Sequence, residues 1–223
     1  GAIGLDKLVE QVKELALRYG ARKLCLFGSR SRGDHHSRSD YDFALWGVPA
    51  ESQLPLLAAA EDLPSLVKMD FVFVSAQTAP SLLAHIEEEG ITLMDKFEMK
   101  YQNFRRAMQR LQYGIERCQN EPEDLMLQDA VIQRFEFTCE LAWKTAREYL
   151  IDQGHEEQNS PKPVMRQALE AGLISDGEGW MALLTDRNLT SHLYDEDTAN
   201  RICERICTKH IALLRSLFEK LEG

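Results

Sequence analysis

The chain has 223 residues, of which 44% are hydrophobic and 28% are charged, and its formal net charge is −10. This composition is typical of a globular protein with a sizeable core, and the acidic balance argues against tight, non-specific binding of nucleic acid. No apolar run approaches the roughly 20 residues that cross a bilayer. The first residues, Gly-Ala-Ile-Gly, lack the pattern of a signal peptide. We therefore expect a cytoplasmic protein that does not insert into a membrane.

Helical and strand patterns alternate over the first part of the chain. Apolar residues recur at helical spacing from Leu5 to about Arg18, and Gly20 follows as a C-terminal stop. Short runs of branched and aromatic residues predict strands, with helical stretches between and after them. The predicted strands are 23–27, 41–45, 69–74 and 91–94, and the further predicted helices are 54–61 and 80–89. The alternation predicts an α/β domain, a mixed sheet with helices, over residues 1–95.

From residue 96 onward the strand signals disappear, and long amphipathic segments follow one another. Helices are predicted at 97–118, 124–153, 162–171, 177–188 and 195–221. The breaks between them carry typical turn residues, at Asn120-Glu121-Pro122, 154–163 and 171–177. This pattern predicts an all-α helical bundle over residues 96–223, with the domain boundary near Asp95 to Lys100.

The five cysteines lie within these predicted elements. Their odd number and irregular spacing do not indicate a disulfide framework, so we expect reduced thiols. Cys203 and Cys207 are four residues apart on a predicted helix and could share a metal, but no second Cys/His pair completes such a site. We therefore expect both to pack in the core.

A candidate phosphate-binding loop follows the first predicted strand. The segment Leu26-Phe27-Gly28-Ser29-Arg30-Ser31-Arg32-Gly33 runs from that strand into a helical turn, which brings backbone N–H groups and the positive end of a helix dipole to one point. Gly28 allows the backbone to approach closely, and the Ser29 hydroxyl can donate to a phosphate oxygen. Arg30 or Arg32 would supply positive charge. Taken alone, Ser29 could also be an ordinary helix N-cap.

Two acidic residues follow this loop, and a third lies on a later strand. Asp40 and Asp42 are two apart on a predicted strand, so both side chains should point to one face. Tyr41 and Phe43 should point to the other face, into the core. Such an acidic pair repels unless a cation neutralises it, and carboxylate oxygens are ligands that Mg²⁺ takes. Asp70 could stand beside the pair, and three carboxylates can hold two metal ions, one activating an acceptor hydroxyl and one stabilising a leaving pyrophosphate.

These residues together resemble the motif of the minimal nucleotidyltransferases (MNT) of the polymerase-beta-like superfamily. The matching positions are Gly28-Ser29, Asp40-Tyr41-Asp42 and Asp70, and Arg32-Gly33 also fits the pattern. The resemblance covers about residues 1–95 and implies Mg²⁺, with ATP or another NTP as substrate. It further implies that Asp40, Asp42 and Asp70 are the metal ligands, with Asp70 also the general base. We expect His35 and His36, in the loop before Asp40, to be solvated.

A polar segment in the helical half is not explained by packing. Arg187, His192 and Tyr194 lie within eight residues of one another. His192 could be an ordinary capping or surface residue, and Asp195 could cap the last helix. A cationic Arg with a titratable His can also stabilise a phosphate and transfer a proton.

The spacing of Arg187, His192 and Tyr194 resembles the signature of HEPN-type helical proteins, which include nucleotidyltransferase substrate-binding proteins. The segment 137–144 and the segment 161–171 also look like that family. In HEPN toxins the Arg and the His form a metal-independent RNase site, and a partner nucleotidyltransferase silences it by adenylylating the Tyr. The resemblance therefore implies a toxin–antitoxin system, with RNA as a further partner. The two parts are commonly separate proteins, whereas here they share one chain.

The leading hypothesis is an Mg²⁺-dependent adenylyltransferase fused to its own HEPN-like domain, with Tyr194 as the acceptor. A tyrosine hydroxyl, whose pKa is usually about 10, needs a metal or a carboxylate such as Asp70 to help remove its proton. One alternative is a small-molecule transferase similar to aminoglycoside-resistance enzymes, with the bundle as the antibiotic pocket. Another is a ribonuclease or RNA-binding protein regulated by the transferase domain. The long amphipathic helices and the pairing of HEPN-like domains also predict a homodimer through the helical half.

Overall fold

The computed structural model describes residues 6–33, 39–192 and 195–223. The chain divides into two compact units, with the division between Lys96 and Phe97. The first unit is a mixed sheet with helices and the second is all helical, which confirms the predicted fold class. Within the described ranges, no helix combines the length and apolar character needed to span a bilayer.

In the part of the first unit that the structure describes, there are four strands and four helices. The strands are β1 (Lys23–Phe27), β2 (Tyr41–Trp46), β3 (Met69–Val74) and β4 (Ile91–Asp95). The helices are α1 (Lys7–Arg18), α2 (Ser29–Arg32), α3 (Ala50–Glu61) and α4 (Pro80–Glu89). α3 begins at Ala50 rather than at the predicted Leu54, because its first turn is polar and adds nothing to the apolar repeat. The single helical turn α2 follows directly after β1, where the segment from Leu26 to Gly33 predicted a helical turn.

The strands form one sheet in the order β3-β2-β1-β4. β1 is antiparallel to β2 and β4, whereas β2 and β3 are parallel and are connected through α3. Side chains alternate along β2, so Tyr41, Phe43 and Leu45 are buried on one face. Asp42 and Ala44 lie on the opposite face, where Ala44 packs in a small core with Ile86 of α4 and Phe27 of β1.

The second unit is built on two long helices, α5 (Lys96–Asn120) and α6 (Leu125–Asp152). The helices α7 (Pro161–Glu170), α8 (Gly177–Leu189), α9 (Glu196–Arg205) and α10 (Ile211–Glu222) follow, and a short 3₁₀ helix, Thr190–His192, extends α8. Aspartates cap helices throughout the chain, since their side chains accept from backbone N–H groups in the first turns of α1, α6, α8 and α9. The capping residues are Asp6, Asp124, Asp176 and Asp195.

The last predicted helix is interrupted in the structure. Instead of one helix over 195–221, a π-helical turn, Ile206–His210, separates α9 from α10. A π turn widens the helix and changes the direction of the side chains that follow, which local apolar spacing does not predict. Cys207 lies in this turn, and both Cys203 and Cys207 pack against the core of the unit.

The π turn brings His210 to a buried carboxylate on α8. His210 Nε2 lies 2.6 Å from Asp186 Oδ2, and the Arg205 guanidinium donates to both oxygens of Asp186 at 2.7 and 2.8 Å. Burial by itself raises the pKa of Asp186, but the hydrogen bonds from Arg205 and His210 outweigh it and hold that pKa below its usual range. Burial lowers the pKa of His210, against the opposing effect of Asp186. Ionised Asp186 on α8 therefore binds cationic Arg205 on α9 and neutral His210 in the π turn, and these contacts connect the three segments.

We expect Asp186→Ala to destabilise the fold, because it leaves Arg205 and buried His210 without their shared acceptor. Breaking a buried pair costs roughly 3–5 kcal/mol, and about 3 kcal/mol is expected here because Arg205 is partly exposed. Urea unfolding at neutral pH measures the loss, with Glu204→Ala on the exposed face of α9 as the control. The pKa values of His210 and Asp186 are both lowered, from 6.5 and 3.8, so wild-type stability should fall as the pH drops below 6.5 and again below 3.8. Equal stability of Asp186→Ala and Glu204→Ala would contradict this account.

Candidate active site

A tight turn at Gly28 connects β1 to α2. Gly28 has φ of +74°, in the region that favours glycine, and it precedes Ser29, the first residue of α2. A Cβ atom at Gly28 would lie 2.5 Å from Asp42 Oδ2, so only glycine fits against this carboxylate. The Ser31 hydroxyl donates to the Gly28 carbonyl at 2.7 Å and holds the turn. The predicted loop and the predicted acidic pair therefore meet at Gly28 and Asp42.

Two of the three predicted carboxylates lie side by side in the sheet. Asp42 on β2 is in register with Asp70 on the adjacent strand β3, and residues in register on neighbouring strands point to the same face of the sheet. Asp40 is exposed and lies just before β2 rather than within it. Tyr41 and Phe43 point to the opposite, buried face, where their rings stack at 5.8 Å between centroids.

The electrostatics of Asp42 reflect this crowding. Burial, followed by the negative charges of Asp70 and Asp40, raises the pKa of Asp42, while the charge of Lys68 acts in the opposite direction. The Lys68 ammonium lies 3.4 Å from Asp70 Oδ2, in an ion pair that is largely exposed. The three acids thus act on one another electrostatically, and Lys68 partly compensates their charge.

The donor chemistry at this face fits a divalent cation. A raised pKa at Asp42 means that its ionised form needs a neighbouring positive charge, and oxygen-only donors suit Mg²⁺. Among the described residues, no three His, Cys, Asp or Glu side chains are close enough together to form a ready-made metal site. The carboxylates of Asp40, Asp42 and Asp70 are therefore suitable ligands for a divalent cation, although they do not form a ready-made metal site.

Both arginines of the loop make local contacts. The Arg30 guanidinium lies 4.1 Å from the centre of the Tyr41 ring and donates to the Ser39 carbonyl at 2.9 and 3.2 Å. Arg32 forms an ion pair with Glu89 of α4 at 2.8 Å. These contacts place positive charge around the Gly28 turn and tie it to β2 and α4. His35 and His36 lie outside the described residues.

The second predicted motif lies at the end of α8. Arg187 is in the last turn of this helix, and its Nη2 lies 3.2 Å from Glu140 Oε1 on α6. His192 ends the 3₁₀ helix and is exposed. Tyr194 lies outside the described residues. Asp195 caps α9, as the simpler interpretation of that residue expected.

Comparison with known families covers both units. Residues 99–223 match the family described as nucleotidyltransferase substrate binding protein like, over more than half of the chain. The chain belongs to this family. Residues 10–98 match polymerase beta, nucleotidyltransferase, so the first unit is a nucleotidyltransferase domain and the second a substrate-binding, HEPN-like domain. Both resemblances inferred from the motifs are thereby confirmed.

Individual relatives match part of the chain. The chain is 35% identical over 79 residues to the probable ribonuclease HepT of Haemophilus influenzae. This alignment covers 34% of the chain and 54% of the relative, so the chain spans about half the length of that curated protein. A solved protein of Thermus thermophilus is 32% identical, with 54% of this chain and 99% of that chain covered and a TM-score of 0.48. A Haemophilus influenzae protein, described as a substrate binding domain of a nucleotidyltransferase, is 26% identical, with 55% and 99% covered and a TM-score of 0.49.

Sequence reasoning about the nucleotidyltransferase domain missed two positively charged contacts. Lys68 precedes Asp70 by two residues on the way into β3, and this alternation alone could have placed both side chains together. The stacking of Arg30 on Tyr41 depends on the chain returning from residue 33 to β2, which local sequence does not specify.

Gly28→Ala tests the close approach of the turn to Asp42. We expect this variant to lose nucleotidyl transfer and to be less stable than wild type, since the new methyl group would meet the Asp42 carboxylate. Gly33→Ala is a matched control, because Gly33 also has a positive φ of +79° but no atom of the described residues lies within 4 Å of its Cβ position. A positive φ costs a non-glycine residue roughly 1–2 kcal/mol, so both variants should share that loss. Thermal unfolding and ATP turnover should separate them; equal activity in the two would remove the Gly28–Asp42 contact from the site.

Proposed function

We propose that the nucleotidyltransferase domain transfers AMP from ATP to a hydroxyl group in an Mg²⁺-dependent reaction, and that the acceptor is Tyr194 of the HEPN-like domain. The observation that carries the transferase part is the alignment of Asp42 with Asp70 on adjacent parallel strands, directly against the Gly28 turn. The support for Tyr194 is its position two residues after His192, at the spacing of the family motif.

In this proposal the Gly28 turn holds the triphosphate. The backbone can approach a phosphate at Gly28, and Ser29 presents its hydroxyl at the start of the turn. Arg30 and Arg32 provide positive charge on the same turn, Arg30 from its position over Tyr41 and Arg32 beside Glu89. Arg32 could exchange its exposed partner Glu89 for a phosphate at little cost, because exposed ion pairs contribute little stability.

The carboxylates of Asp40, Asp42 and Asp70 would hold the metal ions. Bound Mg²⁺ supplies positive charge that neutralises the acids and polarises the phosphates. Asp42 needs that charge most, because burial and two neighbouring acids raise its pKa. Asp70, which pairs with Lys68 at 3.4 Å, would accept the proton of the acceptor hydroxyl.

The transfer itself is a single displacement at the α-phosphorus. The Tyr194 oxygen forms a bond to the α-phosphorus, the bond to pyrophosphate breaks, and the hydroxyl proton passes to Asp70. The AMP group on Tyr194 would add negative charge near Arg187 and His192, where it would compete with any other phosphate for their positive charge. The reaction could take place within one chain or between two chains of a dimer.

Incubation of the purified chain with labelled ATP and Mg²⁺, followed by peptide mapping with mass spectrometry, tests this function. We expect one AMP adduct per chain, on the peptide that contains Tyr194, and no adduct when EDTA is present. Competition with unlabelled GTP, CTP and UTP measures nucleotide preference. An adduct on another residue would replace Tyr194 as the acceptor, and the absence of any pyrophosphate release would refute transferase activity.

We expect the protein to form a homodimer through the HEPN-like domain. Several large apolar side chains remain exposed on α5 and α6, including Met99, Met126 and Phe137, and pairing would bury part of this surface. Light scattering at micromolar concentration should give twice the 25.5 kDa mass of the chain. A single-chain mass over that range would contradict this expectation.

A further inference from the structure

A cavity of about 600 Å³ lies between α7 and α8, within the HEPN-like domain. Cavities of roughly 300–1,000 Å³ are typical of sites for small organic molecules. Its floor is apolar, since Met165, Ile174, Trp180 and Leu184 all line it and all are buried. The cavity is therefore large enough for a ligand, and most of its wall suits an apolar body.

The sequence of α7 explains how the cavity forms. Val164 and Ala168 are fully buried and attach α7 to the core of the unit. Lys162, Arg166 and Leu169 follow one another at spacings of four and three residues, so they form a second face of the same helix, and this face borders the cavity. One helix thus serves both the core and the cavity wall.

On α8 the facing residues are Gly177, Met181 and Leu184, again at helical spacing. Gly177 lets the start of α8 approach α7 closely, because a Cβ atom there would lie 3.1 Å from Leu169 Cδ2. Contact at Gly177 and Leu169 closes one end of the cleft. The flexible thioethers of Met165 and Met181 allow the wall to adapt to an occupant.

Two positive charges border this apolar cavity. Lys162 and Arg166 are one helical turn apart, and within the described residues neither forms an ion pair. Glu178 is the one acidic residue among the residues that line the cavity. The rim therefore favours an anionic group beside the apolar floor.

We propose that this cavity binds an amphipathic organic anion, with its apolar body against Met165 and Trp180 and its carboxylate, phosphate or sulfonate group between Lys162 and Arg166. This site is separate from the residues assigned to nucleotidyl transfer, and its existence does not depend on that activity. The same charges disfavour a polycationic ligand, which argues against the use of this cavity as an aminoglycoside pocket.

The cavity adjoins the motif at the end of α8. A second cavity of about 260 Å³ shares Lys162, Met181 and Leu184 with the first and is also lined by Glu140 and Arg187. The shared side chains form the partition between the two cavities. A ligand that moves Met181 or binds Lys162 would therefore alter the surroundings of Arg187. Binding in the first cavity could in this way affect Arg187.

A second copy of the chain is a poorer occupant. A two-fold interface places the same surface of each copy in the contact, so it would bury the Lys162 and Arg166 pairs of both chains within one interface. Four positive charges in one interface are unfavourable unless further groups neutralise them.

The aromatic anion 8-anilinonaphthalene-1-sulfonate is the probe that fits this chemistry, and the full chain should be used. We expect saturable binding of one probe per chain, with energy transfer from tryptophan that is smaller in Trp180→Phe, because Trp46 and Trp143 remain. Arg166→Glu should weaken binding by about tenfold or more, because it replaces an attractive charge with a repulsive one. Lys220→Glu, the same exchange on the exposed face of α10, should bind the probe as wild type does.

A second variant, Met181→Trp, fills the cavity from its partly exposed wall and should abolish binding without a change in the circular dichroism spectrum. Dodecanoate and dodecyl phosphate should displace the probe, and their relative affinities identify the preferred head group. Dodecan-1-ol should displace it at least about tenfold less well. If Arg166→Glu and Lys220→Glu change the affinity for the probe equally, the anion site is refuted. The same holds if dodecan-1-ol displaces the probe as well as dodecanoate and dodecyl phosphate do. A change of oligomeric state in Met181→Trp would assign the cleft to an interface instead.

Discussion

Asp42→Asn is expected to abolish nucleotidyl transfer while leaving the fold intact. The substitution removes a metal-binding charge without changing the volume of the side chain, at a position aligned with Asp70 and in contact with the Gly28 turn. Removal of one well-placed electrostatic group from an active site commonly costs about 10²–10³-fold in rate, and a loss of at least that size is expected here. Steady-state pyrophosphate release with Mg²⁺ and ATP measures it, with Asp62→Asn, an exposed residue after α3, as the control.

The same substitution should not lower stability. Folding raises the pKa of Asp42, so the folded state holds that proton more tightly than the unfolded state does. Wild type is therefore destabilised by this group once the pH rises above the ordinary aspartate value of 3.8, and Asp42→Asn removes the penalty. Melting temperatures should be equal or higher for the variant at pH 7.5, and the difference should disappear in acid. A variant that releases pyrophosphate at the wild-type rate would remove Asp42 from the proposed mechanism. A variant that is stabilised only in acid would contradict the raised pKa of Asp42.

Tyr194→Phe should eliminate ATP-dependent labelling of the chain. The variant keeps the aromatic ring and loses only the oxygen that would attack the α-phosphorus, so the expected result is complete loss of the adduct rather than a slower reaction. Tyr113→Phe on α5, where the side chain is 56% exposed, is a matched control for adventitious modification of an accessible tyrosine.

Labelling across mixed chains would show the route of transfer. Asp42→Asn chains mixed with Tyr194→Phe chains should become labelled only if one chain modifies another, because neither variant can label itself. If Tyr194→Phe is labelled as strongly as wild type and as Tyr113→Phe, Tyr194 has a structural role and another acceptor must be sought. Continued pyrophosphate release by the Tyr194→Phe chain would still support the transferase, so the two parts of the proposal can fail separately.

Local sequence determined much of the secondary structure. β1 and β3 begin and end where their apolar runs predicted, at Lys23–Phe27 and Met69–Val74, because a strand of this kind is specified by its own branched and aromatic residues. α4 likewise begins at Pro80, which favours the first helical position. The Gly-Ser and Asp-x-Asp motifs could also be recognised without a structure, because their chemistry depends on residue types at short spacings.

Only the tertiary structure determined which of these elements meet. The parallel pairing of β2 with β3 places Asp42 beside Asp70, and the contact of Gly28 with Asp42 depends on strands that are distant in sequence. The π turn exists where His210 reaches Asp186, 24 residues earlier in the chain. The cavity between α7 and α8 depends on how these two helices pack, since residues of both line it. Such features depend on long-range packing and electrostatics, whereas sequence periodicity reports only whether a residue faces the core or the solvent.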